Sequence, residues 1–173
     1  MKIYQNLISL IEDHADEITK DLVKEFRERE ETRHYRDFSD EIVYERVHQV
    51  LYNVYRRLGS WLSKNRSKDV IFAYYAELGK ERFKEGIPLQ EVVMVLLLIK
   101  RKLWKFLDEN RFLDTGYGLN QLMEMNYYVS VFFDRILHSI ISGYQEEMGR
   151  FVSGLVEDKH LSKVFKTRQI KGK

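Results

Sequence analysis

Two cationic residues occupy positions where helical spacing calls for apolar side chains. Arg82 continues the apolar stripe formed within residues 71–78, and Lys100 lies within the stripe formed within residues 89–107. A buried charge is costly unless it is paired, so each cation must form an ion pair, extend its head group to water or hold an anion. We favour an internal ion pair; the alternatives are a small anionic-ligand or signal-transmitting site, and a stripe that opens to water. The carboxylates available as partners are Glu81, Glu85 and Glu124.

Aromatic residues from the same two segments complete this candidate site. Tyr74 lies on the stripe that leads to Arg82, and Trp104 follows Lys100 by one helical turn. Gly79 beside them indicates the close approach of another helix, because glycine has no side chain to hold a neighbour away. The candidate set is Arg82, Lys100, Glu81, Tyr74 and Trp104, acting as a ligand site or an internal ion-pair network.

The histidines are the side chains of this sequence best suited to bind haem or a metal. Of the five, only His14 lies in the middle of an apolar stripe. A lone histidine there is typical of a core residue that donates one hydrogen bond. The chain contains no cysteine, which excludes disulfides, thiolate zinc sites and iron–sulfur clusters. We expect no cofactor and no metal.

Motifs of catalysis are absent from the sequence. It has no glycine-rich phosphate loop, no nucleophile elbow, no zinc-binding His-Glu-x-x-His helix and no kinase signature. Its acidic residues lie among lysines and arginines on helix faces that are predicted to be exposed to solvent. We therefore expect that the protein is not an enzyme.

Length and composition fit a single globular domain of 173 residues. The 29 basic and 27 acidic residues nearly balance, which does not indicate a nucleic-acid-binding protein. The longest apolar run, Val92–Ile99, is far shorter than the roughly 20 residues of a membrane span. The amino terminus lacks a signal-peptide pattern. We expect a cytoplasmic protein without a membrane partner.

Apolar residues recur at spacings of three and four along most of the chain, which predicts five amphipathic helices and an all-α fold. The polar residues 31–39 predict a loop. Gly86 predicts the C-cap of one helix, and Pro88 predicts the start of the next. Periodicity does not distinguish a globin-like stack from an up-and-down bundle. The first predicted helix runs from Ile3 to about Glu30, and the second from an N-cap at Ser39 or Asp40 to about Asn65. The third runs from an N-cap at Ser67 to about Glu85, the fourth from Pro88 to about Asn110, and the last and longest from about Leu119 to Val156.

The charge distribution divides the chain into a helical domain, residues 1–156, and a basic tail, residues 157–173. The tail holds six lysines and arginines against two acidic residues. It is predicted to be a helical exit or linker, with a frayed terminus as the alternative.

The last helix has an unusually broad apolar face. Between Val129 and Tyr144, apolar residues cover about half of the circumference, more than the ~100° of an ordinary surface helix. Such a helix is either central to the core of a monomer or shared with a second copy, and we favour the homodimer. The interface residues we expect are Phe132, Phe133, Ile136, Ile140 and Tyr144.

Three strings in the middle of the chain are distinctive: residues 77–82 (ELGKER), 86–91 (GIPLQE) and 100–104 (KRKLW). With the long last helix, they resemble the amino-terminal domain of the RsbR/RsbRD family, the co-antagonists of the stressosome switch kinase. The similarity spans most of residues 1–156. It implies a globin-like helical domain that dimerises, without haem, as a sensory input ahead of sulfate-transporter/anti-sigma-antagonist domains, histidine kinases or other output modules of bacterial regulators.

The function predicted from the sequence is thus a non-catalytic signal-input and dimerisation domain that modulates a downstream output module. The alternative is a helical adaptor that binds an acidic protein or nucleic acid through its basic tail and a patch of Arg101, Lys102 and Lys105. That patch lacks the interleaved aromatic residues of single-stranded nucleic-acid sites, so we expect no nucleic-acid partner.

Overall fold

The chain is all-α. A computed structural model describes residues 2–62, 68–114 and 116–170, and within those ranges it contains helices and no β-strand. Two short 3₁₀ helices, Glu30–Asp37 and Phe112–Asp114, precede the third and sixth α-helices. The α-helices are α1 (Lys2–Asp13), α2 (Ala15–Glu28), α3 (Asp40–Leu62), α4 (Lys68–Lys84), α5 (Leu89–Glu109) and α6 (Leu119–Ile170).

The first predicted helix is two helices, because the backbone bends at His14. This residue has φ −120° and ψ 15°, and its ring Nδ1 donates a hydrogen bond to the Leu10 carbonyl at 2.9 Å. The half-buried ring packs against Phe106, with 5.2 Å between ring centroids. The prediction of one continuous helix was wrong, since apolar spacing continues across the bend and does not reveal it.

The predicted loop at residues 31–39 is also wrong over most of its length, because Glu30–Asp37 form a 3₁₀ helix. Thr32 is fully buried there, and its hydroxyl donates to the Phe26 carbonyl at 2.8 Å. The predicted cap at Ser39 is confirmed, since its hydroxyl accepts the Ile42 N–H at 3.4 Å at the start of α3. The predicted cap at Ser67 lies outside the described residues.

The turn between α4 and α5 follows the prediction from glycine and proline. Gly86 has φ +74°, which favours glycine, and its N–H donates to the Phe83 carbonyl at 3.0 Å. The Ile87 N–H donates to the Arg82 carbonyl at 3.1 Å, and Pro88 directly precedes α5.

Helix α3 packs on α1 and α2, while α4 packs along α6, and α5 contacts α2, α6 and the first 3₁₀ helix. The apolar stripes of these helices meet in one core. Its fully buried side chains include Leu7, Ile18, Leu22, Phe26, Leu51, Leu58, Tyr75, Leu103, Val129, Phe132 and Ile136.

Two glycines bring the backbones of α4 and α6 into direct contact. A Cβ atom on Gly79 would lie 2.1 Å from the Ile140 carbonyl oxygen, and one on Gly143 would lie 1.9 Å from the Ala76 carbonyl oxygen. Real Cβ atoms do not come within 3.0 Å of such atoms, so no larger residue fits without moving a helix. The close approach predicted at Gly79 is confirmed.

Helix α6 is 52 residues long, which corresponds to about 78 Å, and it extends past the predicted end at Val156. Every residue from 151 to 156 is exposed. The ring of Phe151 still packs on Phe83 of α4, with 5.9 Å between centroids, so the helix leaves the packed body after Phe151. No helix within the described ranges combines the length and the apolar character needed to cross a lipid bilayer.

The α4–α6 contact predicts opposite effects for two glycine substitutions on the same helix. Gly143→Ala should lower the free energy of unfolding by about 1–3 kcal/mol, because the new methyl meets backbone that cannot rotate away. Gly149→Ala is the matched control: its Cβ would meet nothing within 4 Å, so it should raise the free energy of unfolding by about 0.5–1 kcal/mol. Denaturant unfolding measures both, and equal effects of the two substitutions would contradict the close contact.

Two tyrosine hydroxyls in different environments allow a second matched pair of substitutions. The Tyr75 hydroxyl is buried with no hydrogen-bond partner in the described structure, and burial raises its pKa well above the usual value. Tyr75→Phe should therefore raise the free energy of unfolding by about 1 kcal/mol, since it removes an unsatisfied polar group. The Tyr144 hydroxyl instead donates to the Ile87 carbonyl at 3.0 Å. Tyr144→Phe should cost about 0.5–1.5 kcal/mol, and a Tyr75→Phe protein that melts below wild type would refute this difference.

Candidate functional site

Arg82 is a buried cation on α4, with 8% of its surface exposed. Its Nη1 pairs with the Glu85 carboxylate one turn later, and its Nη2 lies 3.9 Å from the exposed Glu81 carboxylate. Arg46 on α3 binds the same Glu85 through two nitrogens, at 2.7 and 3.2 Å. Glu85 is one of the three carboxylates considered as partners from the sequence, and it neutralises one of the two guanidinium charges that converge on it.

Lys100 lies in a different environment, away from Arg82. Its side chain is 26% exposed, and its Nζ is 3.8 Å from Asp134 on α6, a carboxylate that is itself 72% exposed. None of Glu81, Glu85 and Glu124 pairs with Lys100 in the described contacts. Such a long, solvent-exposed ion pair stabilises little.

Of the other members of the predicted set, Tyr74 and Trp104 make no described contact with Arg82. The Tyr74 hydroxyl accepts a hydrogen bond from the Asn53 amide at 3.2 Å, and Arg57 lies 4.7 Å from its ring centroid. Trp104 packs half-buried against the core. Glu81 is exposed at the surface beside Arg82. The structure assembles a different set: Tyr35, Arg46 and Arg82 line one cavity.

Tyr35 was missed because residues 31–39 were predicted to be a loop. Its residue is 6% exposed and its ring lies between Phe26 and Phe38, at centroid distances of 5.9 and 6.4 Å. Burial raises the pKa of the Tyr35 hydroxyl to about 12, and the Arg82 charge opposes that rise. The hydroxyl is therefore protonated at neutral pH and is available as a hydrogen-bond donor.

Glu91 is a second buried charge that the sequence did not single out. It is 4% exposed at the start of α5, and its carboxylate accepts the His34 backbone N–H at 3.0 Å and the His34 ring Nδ1–H at 2.6 Å. Arg33 lies 4.0 Å from the same carboxylate. These bonds fasten the first 3₁₀ helix, and hence Tyr35, to α5. The available signal was an acidic residue directly before the apolar run that begins at Val92.

The residues predicted for a dimer interface are instead part of the core of a single chain. Phe132, Phe133, Ile136 and Ile140 are each no more than 3% exposed. Tyr144 is half-buried, and its ring packs on Phe83 with 5.3 Å between centroids. The four buried side chains cannot meet a second copy while the chain is folded as described, so their assignment to the interface was wrong. The assignment of Tyr144 stays a prediction. The homodimer itself stays a prediction.

A different face of α6 carries exposed apolar side chains. At 100° per residue they fall within about 80° of the helix circumference, away from the buried face. Four are more than half exposed: Leu119 at 72%, Met123 and Tyr127 at 63%, and Val152 at 53%. We call this the outer face of α6, formed by Leu119, Met123, Tyr127, Met148, Val152 and Leu155.

The basic patch of the adaptor hypothesis lies in a groove of mixed charge between α2 and α5. Lys102 pairs with Asp21 of α2, and Lys105 lies 3.5 Å from Glu109. Glu25 and Glu28 also line the groove beside Arg101. Carboxylates thus offset part of the positive charge that the sequence of α5 alone displays.

Replacement by methionine should have different effects at Glu91, a buried carboxylate, and at Lys100, a cation in an exposed ion pair. Glu91→Met should lower the free energy of unfolding by about 1.5–3 kcal/mol, because the His34 N–H loses a charged acceptor. Lys100→Met should stay within about 0.5 kcal/mol of wild type, since its ion pair is exposed and methionine keeps the packing of the stem. Thermal and denaturant unfolding measure both, and a Glu91→Met protein as stable as wild type would contradict this view of the His34–Glu91 contact.

Comparison with known proteins identifies the family. A family model described as the RsbT co-antagonist protein rsbRD N-terminal domain matches residues 16–154, which span α2 to the exposed part of α6. No match to a curated protein or to a solved structure was found. The matched range contains Arg46, Arg82, Glu91 and both glycines of the α4–α6 contact. Because the match covers most of the chain, the chain belongs to the family of RsbT co-antagonist rsbRD N-terminal domains.

Proposed function

We propose that this chain is a non-catalytic signal-input domain that dimerises through the outer face of α6 and modulates a downstream output module of a bacterial regulatory protein. The family is one of regulatory amino-terminal domains, which supports the regulatory part of the proposal. The cavity at Arg82 combines an aliphatic wall with Tyr35, Arg46 and Arg82 as polar members, which suits binding. It offers no nucleophile beside a base, which acyl or phosphoryl transfer would require.

The observation that carries the proposal is the outer face of α6. Clusters of exposed apolar side chains on one side of a helix are costly in water, and such unpartnered clusters mark interaction sites. The face consists of two clusters on the same side of α6, one at Leu119, Met123 and Tyr127 and one at Met148, Val152 and Leu155. The exposed Asp134 lies on that side between them. A second copy presents the same face, so a two-fold pairing of two α6 helices buries both at once.

The position of α6 also supports a role in transmission. Ile140 of α6 lines the cavity beside Arg82, and Gly143 lies one turn further along, in backbone contact with α4. The same helix continues through Ile170. A displacement of α4 or α6 at the cavity therefore moves the carboxy-terminal half of α6, where an output module would receive it.

The adaptor hypothesis stays a prediction that no observation here favours. The carboxylates of Asp21, Glu25 and Glu28 share the groove with the basic patch. A salt-dependent mobility shift with DNA or RNA would support that hypothesis.

The oligomeric state tests the proposal through one substitution on the outer face. Met148, 43% exposed, points away from the core, so Met148→Glu should leave the helix content and the cooperativity of unfolding unchanged. It should convert a dimer of about twice the 20.9 kDa chain mass into a monomer, because it places charges against each other across the two-fold axis. Sedimentation equilibrium measures the mass.

Two controls on the same helix separate interface from core. Ser153 is exposed about 140° round the helix from Met148, so Ser153→Glu should remain dimeric. Ile136 is fully buried, so Ile136→Glu should fail to fold cooperatively. Wild-type protein that stays monomeric at high micromolar concentration would refute the proposed dimer.

A further inference from the structure

The exposed end of α6 contains two glycines that packing in the described structure does not require. A Cβ atom on Gly149 or on Gly154 would meet nothing within 4 Å, whereas one on Gly143 would collide with the backbone of α4. Glycine in the interior of a helix makes that helix less stable than alanine does, because its backbone loses more conformational freedom. Packing therefore explains the glycine at 143 and leaves the two that follow it unexplained.

The packed body ends between these two glycines. Of the contacts described between α4 and α6, the furthest along α6 is the packing of the Phe151 ring on the Phe83 ring, with 5.9 Å between centroids. Residues 152–156 are all exposed. Gly149 thus lies in the part of α6 that α4 holds, and Gly154 lies beyond it.

Beyond Phe151, the stability of α6 depends on the helix propensity of its own residues. A helix without tertiary contacts is marginal in water, since its equilibrium constant for adding one residue is about one. Ser153 and Gly154 are adjacent, and pairs of glycine and serine are among the few sequence features at which helices bend sharply. We call these two residues the joint of α6.

The outer face of α6 extends across the joint. Met148 precedes the joint, Val152 lies directly before it and Leu155 follows it, and all three side chains are at least 43% exposed. A second copy packed on these side chains contacts α6 on both sides of the joint. Burial of the three side chains then favours the one conformation in which they share a face, which is the continuous helix.

We propose that the joint opens readily in a single chain and that pairing of the outer faces closes it into a continuous helix. A closed joint passes a displacement of α6 on to its carboxy-terminal end, and an open joint does not. Dimerisation then decides whether the domain is connected mechanically to an output module. This inference rests on the proposed dimer and adds the condition under which α6 transmits.

Amide hydrogen exchange tests the joint independently of the dimer, at concentrations where sedimentation shows a single chain. Gly154→Ala shifts the local equilibrium toward the helix about fivefold, which is the difference in helix propensity between the two residues. Starting from an equilibrium constant of about one, the amides of Leu155 and Val156 should exchange about two- to threefold more slowly.

Gly149→Ala is the matched control, because its Cβ is equally free of neighbours but lies in the part of α6 that α4 holds. It should leave the exchange of Leu155 and Val156 unchanged. Unchanged exchange of these amides in Gly154→Ala, or an equal effect of both substitutions, would overturn the joint.

The dissociation constant of the dimer tests whether pairing closes the joint. Both chains must close their joints to pair, so Gly154→Ala should lower the dissociation constant about three- to tenfold in sedimentation equilibrium, and Gly149→Ala should leave it unchanged. A dissociation constant that Gly154→Ala does not change would refute the coupling of the joint to the dimer. Slower exchange in Gly154→Ala together with a wild-type chain that stays monomeric would refute the dimer and leave the joint standing.

Discussion

The rest of the structure depends on the contact between the backbones of α4 and α6 at Gly79 and Gly143. Two helices that touch at their main chains align neighbouring residues on each to within a fraction of an ångström, because packed interiors deform little. Arg82 follows Gly79 by about one turn, and Ile140 precedes Gly143 by about one turn. Both side chains reach the same cavity for this reason. A side chain at either glycine would separate the helices and widen that cavity.

Helix α6 has two apolar faces with different roles. The buried face, which includes Val129, Phe132 and Ile136, belongs to the core of one chain. The outer face remains exposed, and it includes Val152 and Leu155, where the helix leaves the body. The apolar character of a single helix thus serves both the stability of the monomer and, in the function we propose, the recognition of a second copy. The glycine contact fixes which of the two faces is turned outward.

Sequence patterns predicted the all-α class, the turn at Gly86, the cap at Ser39 and the close approach at Gly79, because each depends on local spacing or on a residue type with a specific backbone role. They placed Arg82 on an inward face and offered Glu85 as a partner. They missed Tyr35 and Arg46, which come from other segments of the chain, since periodicity does not say which stripes meet. The width of the apolar surface on α6 was recognised correctly. Its division between core and outer face depends on where α4 packs, and the interface was therefore assigned to the wrong side.

The central claim is that α4 fixes one part of α6, while the exposed part pairs with a second copy. Amide hydrogen exchange along α6, measured at several protein concentrations, tests this claim most directly. The amides around Gly143 should exchange only through global unfolding at every concentration, because they lie in the closest helix contact of the described core. The amides of residues 151–156 should exchange rapidly in dilute protein and slow as concentration rises and the outer faces pair. Exchange around Gly143 as rapid as at residues 151–156, or exchange at residues 151–156 that does not change with concentration, would contradict this account.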